Sequence, residues 1–201
     1  MTMRIVLPEA FQAMPWRNGG GTTWEIARGR LGTEWATDGA WDWRLSLAEI
    51  ASDGPFSVFP NIDRLLTVLS GEGLALSLGD APARILRPLD AIAFPGEVSA
   101  VCRLLAGPTR DLNLMVDRRL ARYAAGLTRP GEMARLAPAR VGLVVALDGP
   151  VEIGMGDASL LVPEGAVAMV EAGEESMVLG RAFWARIEAI SEEQDGPECA
   201  A

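Results

Sequence analysis

Two strand-like segments carry polar side chains in alternation with apolar ones, and those polar groups hold much of the chemistry open to this chain. In "RDLNLM", residues 110–115, alternation places Asp111, Asn113 and Met115 on one face and Leu112 and Leu114 on the other. In "WDWRLSLAE", residues 41–49, Arg44, Ser46 and Ala48 share one face, and Trp43, Leu45, Leu47 and Glu49 share the opposite one. The carboxylate and carboxamide of Asp111 and Asn113, at i, i+2 spacing on a strand of a closed barrel, suit a pocket wall. The alternatives are a solvent-facing strand for 41–49 and a strand-to-loop junction for the Asp-Asn pair. A third segment, "MPWRNGGGTTWE" at residues 14–25, sets three glycines after Asn18. They let the backbone turn at positive φ and approach a neighbour closely, leaving Asn18 and Thr22 as polar groups beside the turn. No Lys-Ser/Thr pair follows the glycines, so the segment is not a phosphate loop. A tight turn leading into a strand is the plain alternative.

The chain contains no histidine. Histidine is the usual general base near neutral pH, the commonest metal ligand and the activator of serine and cysteine nucleophiles. A serine hydrolase triad, a histidine-paired thiol and a His-ligated metal centre are therefore excluded, and no metal or other cofactor is expected. The formal net charge of −9, with no basic patch, argues against nucleic acid as a partner. Cys102 and Cys199 lie far apart and have no CxxC spacing, which suits a reducing cytosol. Residues 1–10 lack a signal-peptide pattern, and no uninterrupted apolar stretch reaches about 18 residues. The expectation is a cytoplasmic protein without membrane association.

With 201 residues, 49% of them hydrophobic, one large domain or two small ones can bury a full core. The apolar residues fall in short runs punctuated by Gly, Pro and Asp, which predicts many short strands. We place them at 3–7, 22–28, 43–50, 62–69, 74–78, 91–94, 98–105, 111–116, 141–147, 151–155, 160–162, 167–171, 177–179 and 182–190. One short helix is expected at 117–125. So many strands must hide their edges, which predicts an all-β fold of antiparallel β-barrels. A weak echo between "LRPLDAIAFPG" at 86–96 and "LLVPEGAVAMVEAG" at 160–173 suggests a duplication. We divide the chain into a first module with a polar pocket at 1–116, a smaller second module at 117–190, and a disordered tail at 191–201. Edge-strand pairing into a homodimer is compatible with this pattern, but no residue demands it.

The segment "GPFSVFPNIDRLLTVLSGEG", residues 54–73, has the spacing of the first cupin motif, a glycine followed by His-x-His, a glutamate and a closing glycine. Counted from Gly54, the metal-ligand positions fall on Pro60, Ile62 and Leu66, and the closing glycine on Gly73. None of those three side chains can bind a metal. In that register Arg64 points into the barrel mouth between Ile62 and Leu66. A guanidinium there needs a partner, because an unpaired charge in a partly dry site costs several kcal/mol. The partner is either a protein carboxylate, with Asp111 the obvious one, or the carboxylate of a ligand held bidentately.

Taken together, "MPWRNGGGTTWEIAR" at 14–28, the run from Trp41 to Leu76, "FPGE" at 94–97 and "GPTRDLNLMVDR" at 107–118 resemble the HutD/Ves family of bicupins. The resemblance implies two cupin-like antiparallel barrels, the first with a small polar pocket and no metal. It implies pocket positions at Trp16, Asn18, Thr22, Arg44, Ser46, Arg64, Asp111 and Asn113, with Arg64 as anion anchor. It also implies a small carboxylic acid as ligand, such as formate or a formylated glutamate, and a role in modulating histidine utilisation. Trp24 stands where many relatives are expected to carry a basic residue. Two other readings compete with this one. The first is a metal-independent isomerase or hydrolase using Asp111, Glu49 or Glu25 as general base; the second is an interaction scaffold presenting Trp35, Trp41 and Trp43.

Overall fold

Short apolar runs broken by turn residues form strands when each can bury one face, and this chain does so almost throughout. The computed structural model describes residues 3–31, 40–129, 131–171 and 175–190. The first eleven strands are β1 (Met3–Val6), β2 (Gln12–Pro15), β3 (Gly21–Gly29), β4 (Trp43–Ile50), β5 (Gly54–Pro55), β6 (Ile62–Ser70), β7 (Leu74–Leu78), β8 (Arg84–Leu86), β9 (Ala91–Pro95), β10 (Ala100–Leu104) and β11 (Thr109–Asp117). The remaining six are β12 (Ala121–Leu127), β13 (Met133–Leu136), β14 (Val141–Met155), β15 (Ala158–Val162), β16 (Val167–Glu171) and β17 (Ser176–Ala189).

A six-stranded sheet, β2-β3-β4-β11-β6-β9, faces a four-stranded one, β5-β10-β7-β8. Ile50, Leu66 and Val68 from the first meet Leu74, Leu76, Ala100 and Cys102 from the second in one buried cluster, the interior of the first barrel. The second barrel is a seven-stranded sheet ordered β1-β16-β14-β17-β12, with β13 also on β17 and β15 also on β14. Its interior holds Val144, Ala146, Val151, Ile153, Val178 and Ala182. A third cluster joins the barrels, with Leu112, Leu114 and Val116 of β11 in the same core as Phe183, Ala185 and Ile187 of β17. Two cupin-like barrels thus pack back to back.

Three expectations need correction. Residues 117–125 are not a helix: Leu120 donates to the Asp117 carbonyl and Arg119 donates its backbone N–H to the Asp117 carboxylate, closing a turn. The chain then enters β12, which pairs with β17 from Ala121 to Leu127, because tertiary pairing outweighs a weak local helix preference. Among the described residues the helical element is a 3₁₀ turn at Pro8–Ala10. The predicted strands 141–147 and 151–155 are one strand, β14, and those at 177–179 and 182–190 are one strand, β17. Finally, β1 does not stay with the strands that follow it but pairs antiparallel with β16, Met3 opposite Val170. The expected tail at 191–201 lies outside the described residues.

The sequence echo has a structural counterpart, shifted by one residue. Val68 is bracketed by the Leu89 N–H and the Asp90 carbonyl, as Ala146 is by the Gly165 N–H and the Ala166 carbonyl. The equivalent turns are therefore 87–90 and 163–166, and Leu89 rather than Asp90 matches the glycine. Both Leu89 and Gly165 have φ of 74°. That conformation is free for glycine and costs a leucine about 1–2 kcal/mol.

Candidate ligand-binding site

Strand parity decides which side chains enter the first barrel. On β11, Met115 lies between Arg44 of β4 and Arg64 of β6, and Asn113 lies between Ser46 and Leu66. Cross-strand partners point the same way and side chains alternate along each strand. Arg44, Ser46, Ala48, Arg64, Asp111, Asn113 and Met115 consequently line one cavity of about 480 Å³, the size of a small-molecule site. Ile62 and Leu66, where the motif's metal ligands would stand, are buried apolar residues flanking Arg64. Among the described residues no group of three His, Cys, Asp or Glu could hold a metal ion.

Arg64 is only 4% exposed. Its Nε donates to Asn113 Oδ1 at 3.4 Å and its Nη1 to the Ser57 carbonyl at 3.2 Å, both long for hydrogen bonds. The rings of Phe94, Phe56 and Phe59 surround the guanidinium at 4.9, 5.5 and 5.6 Å, an aromatic box that favours a cation. Burial pushes its pKa down to about 10, helped by the Arg44 charge and opposed by Asp111, so it stays protonated at neutral pH. Asp111 acts on it through charge, yet among the described residues no carboxylate forms an ion pair with it. Of the two alternatives for its partner, the Arg64–Asp111 pair is not made. Asp111 is fully buried and accepts a 3.4 Å hydrogen bond from Asn113. Burial pushes its carboxyl up to about 7, against the opposing pull of Arg64 and Asn113.

The glycine turn closes one side of the cavity. Asn18 Oδ1 accepts the Gly20 N–H at 3.0 Å, a local turn made by its own side chain. A Cβ at Gly21 would sit 2.3 Å from the Glu49 carbonyl and 3.1 Å from the Trp16 ring, so only glycine fits. Trp16 and Asn18 line the cavity, as does the backbone neighbour of the predicted Thr22. Thr22 itself pairs with Glu49 on the outward parity and is not a lining residue; Thr23 is, opposite Ala48, and accepts the Trp16 indole N–H at 2.8 Å. Closeness to the glycine turn misses this by one residue, because the pairing of β3 with β4 sets which side chains face inward. Reading the sequence also missed Phe56, Ser57 and Phe59, although they lie in the very loop whose spacing was recognised.

Arg44 does not act alone. Its Nε donates to Glu25 Oε2 at 2.7 Å, and Arg28 lies 3.4 Å from the other Glu25 oxygen. Glu49 bonds Arg110 at 3.0 Å on the outer face. Of the three carboxylates considered as general base, only Asp111 therefore lines the cavity. Trp24 lies beneath Arg110 at 6.0 Å on the same outer face, away from the cavity. Trp43 is buried in the inter-barrel core rather than presented to a partner, and Trp35 lies outside the described residues. Cys102 is buried, and burial pushes its thiol up to about 12, which leaves it inert near neutral pH. Among the described residues no helix is long and apolar enough to cross a membrane.

This geometry defines a two-barrel cupin-type protein whose first barrel carries an arginine where a metal centre would otherwise sit. The HutD family model matches residues 8–182, and the chain belongs to the HutD family. It is 39% identical over 154 residues to a Pseudomonas putida protein described as an uncharacterized 21.2 kDa protein in the hutC 3′ region, covering 76% of this chain and 78% of that protein. To Protein Ves of Cronobacter sakazakii it is 33% identical over 150 residues, covering 74% and 77%. The structure of HutD from Pseudomonas fluorescens SBW25, in a formate condition, matches with a TM-score of 0.82 at 28% identity, over 94% of this chain and 100% of that one.

Proposed function

We propose that the first barrel binds a small carboxylic acid at Arg64 and that the protein modulates histidine utilisation without catalysing a reaction. The observation that carries this reading is a buried guanidinium with two long hydrogen bonds, no ion pair among the described residues, and open volume beside it. A ligand carboxylate supplies the missing partner bidentately, and Asn113 adds a donor and an acceptor. The hutC-region relative and the formate condition of the Pseudomonas fluorescens HutD structure support the ligand class and the setting. Titration calorimetry of formate and N-formylglutamate against wild type and Arg64→Ala tests it. Saturable binding should disappear in the variant; equal binding by both proteins sinks the assignment.

A second reading rests on Asp111, whose carboxyl, held up to about 7, suits a general base. Turnover of either acid by wild type that is abolished in Asp111→Asn would favour a metal-independent enzyme over a binding protein.

A further inference from the structure

A second cavity, of about 500 Å³, lies where the two barrels meet and shares no residue with the Arg64 pocket. Its walls come in pairs. The register of β11 on β6 skips Leu69 between Val68 and Ser70, and that of β17 on β14 skips Leu147 between Ala146 and Asp148. The same bulge thus recurs in both barrels and makes Arg110, opposite Ser70, the counterpart of Arg181, opposite Asp148. Both arginines line the cavity, as do the equivalent turn residues Leu89 and Gly165.

The floor is apolar, with Phe11, Leu47, Leu69, Leu112, Val145 and Leu147. The rim carries both signs of charge. Arg181 Nη1 donates to Asp148 at 3.0 Å, Arg110 Nε donates to Glu49 at 3.0 Å, and Glu164 lines the opening. These pairs are solvent-exposed and exchange readily with a competing ion, and each guanidinium has further N–H donors to offer. Leu89 supplies a separate argument. It keeps a bulky side chain in a left-handed conformation that the matching position gives to glycine, and that side chain forms cavity wall.

We propose that this junction cavity binds an α-amino acid with an apolar side chain, of the leucine or phenylalanine type. The side chain lies on the floor, the carboxylate pairs with Arg181 and the ammonium with Asp148 and Glu164. A simple anion would face the two carboxylates and a simple cation the two arginines, whereas a zwitterion satisfies both signs. The proposal is independent of what the Arg64 pocket binds.

Calorimetric titration of the full-length protein with L-phenylalanine tests it, with 3-phenylpropionate and phenethylamine as analogues lacking the ammonium and the carboxylate. The expected result is one site per chain with Kd on the order of 0.1–1 mM, and analogues weaker by about tenfold or more. Arg181→Gln, a change on the exposed rim that leaves the core intact, should weaken binding about tenfold or more. Leu89→Gly, which suits the local backbone, should weaken it too, while Arg64→Ala leaves it unchanged. Absence of saturable binding, equal binding of either analogue, binding indifferent to Arg181→Gln, or loss of binding in Arg64→Ala would each overturn the proposal.

Discussion

The two barrels run the same strand frame and fill it differently. Counting from the shared anchor, Val68 with Ala146, along the paired strands sets Arg64 against Gly142, Asp111 against Ala182, and Asn113 against Trp184. Continuing to the next strand sets Ser46 against Gly126 and Arg44 against Ala124. Each of these five polar positions is thus small or apolar in the second barrel. Trp184 packs against the second interior, with its ring lying on Gly126, where an added Cβ would come within 2.9 Å of it. Gly142 faces Leu136, whose methyl would sit 3.3 Å from an added Cβ. The two barrels therefore share a strand frame but differ at these five inward positions, polar beside an open cavity in the first and small or apolar, with the Trp184 ring among them, in the second.

Removing the plug should have the largest effect. Trp184→Ala is expected to lower unfolding free energy by about 3–5 kcal/mol in denaturant titration, and a loss below about 1 kcal/mol would show that the ring fills no space. The converse change in the first barrel, Arg64→Met, replaces a buried charge by an apolar chain of similar length. It should raise stability by about 1–4 kcal/mol while eliminating carboxylate binding, so lower stability would mean that Arg64 is satisfied by the protein alone. Gly126→Ala crowds the indole and should cost about 1–3 kcal/mol, a cost that Trp184→Ala relieves in the double variant.

Titration separates the barrels next. Asp111, raised to about 7 from 3.8, holds a proton in the folded chain over a range where the unfolded chain has lost it. Its contribution is full below pH 3.8 and is lost as pH rises to about 7, at up to about 1.4 kcal/mol per pH unit, then levels off. The difference in melting behaviour between wild type and Asp111→Asn should show that slope, and a pH-independent difference would contradict it. An anionic ligand beside Arg64 favours the protonated aspartate, so its affinity should weaken above pH 7. The smallest expected effect is at the equivalent turns: Gly165→Ala, at φ 74° and with Pro8 Cγ 3.3 Å from the new Cβ, should cost about 1–2 kcal/mol in thermal unfolding.

Alternation of apolar and polar residues by itself determined most strands, and β4, β7 and β16 occupy 43–50, 74–78 and 167–171 as read. It also determined that Arg44 shares a face with Ser46 and Asp111 with Asn113, since side-chain direction on a strand follows residue number; that these faces and Arg64 turn into one cavity came from the pairing of the strands. Short strands such as β2, β5, β8 and β13 were not legible because two to four residues carry too little periodic signal. Strand β12 was not legible because its partner, β17, lies far along the chain.

Only the tertiary structure decided that Thr23 rather than Thr22 faces the cavity, that Glu25 is held by Arg44, and that Arg64 and Asp111 sit in one cavity without pairing. It alone decided that β1 joins the second barrel and that Trp184 takes the place of Asn113 there. Parity is a local property of the strand, whereas pairing and filling depend on turn lengths, bulges and distances of a few tenths of an ångström between segments far apart in the chain.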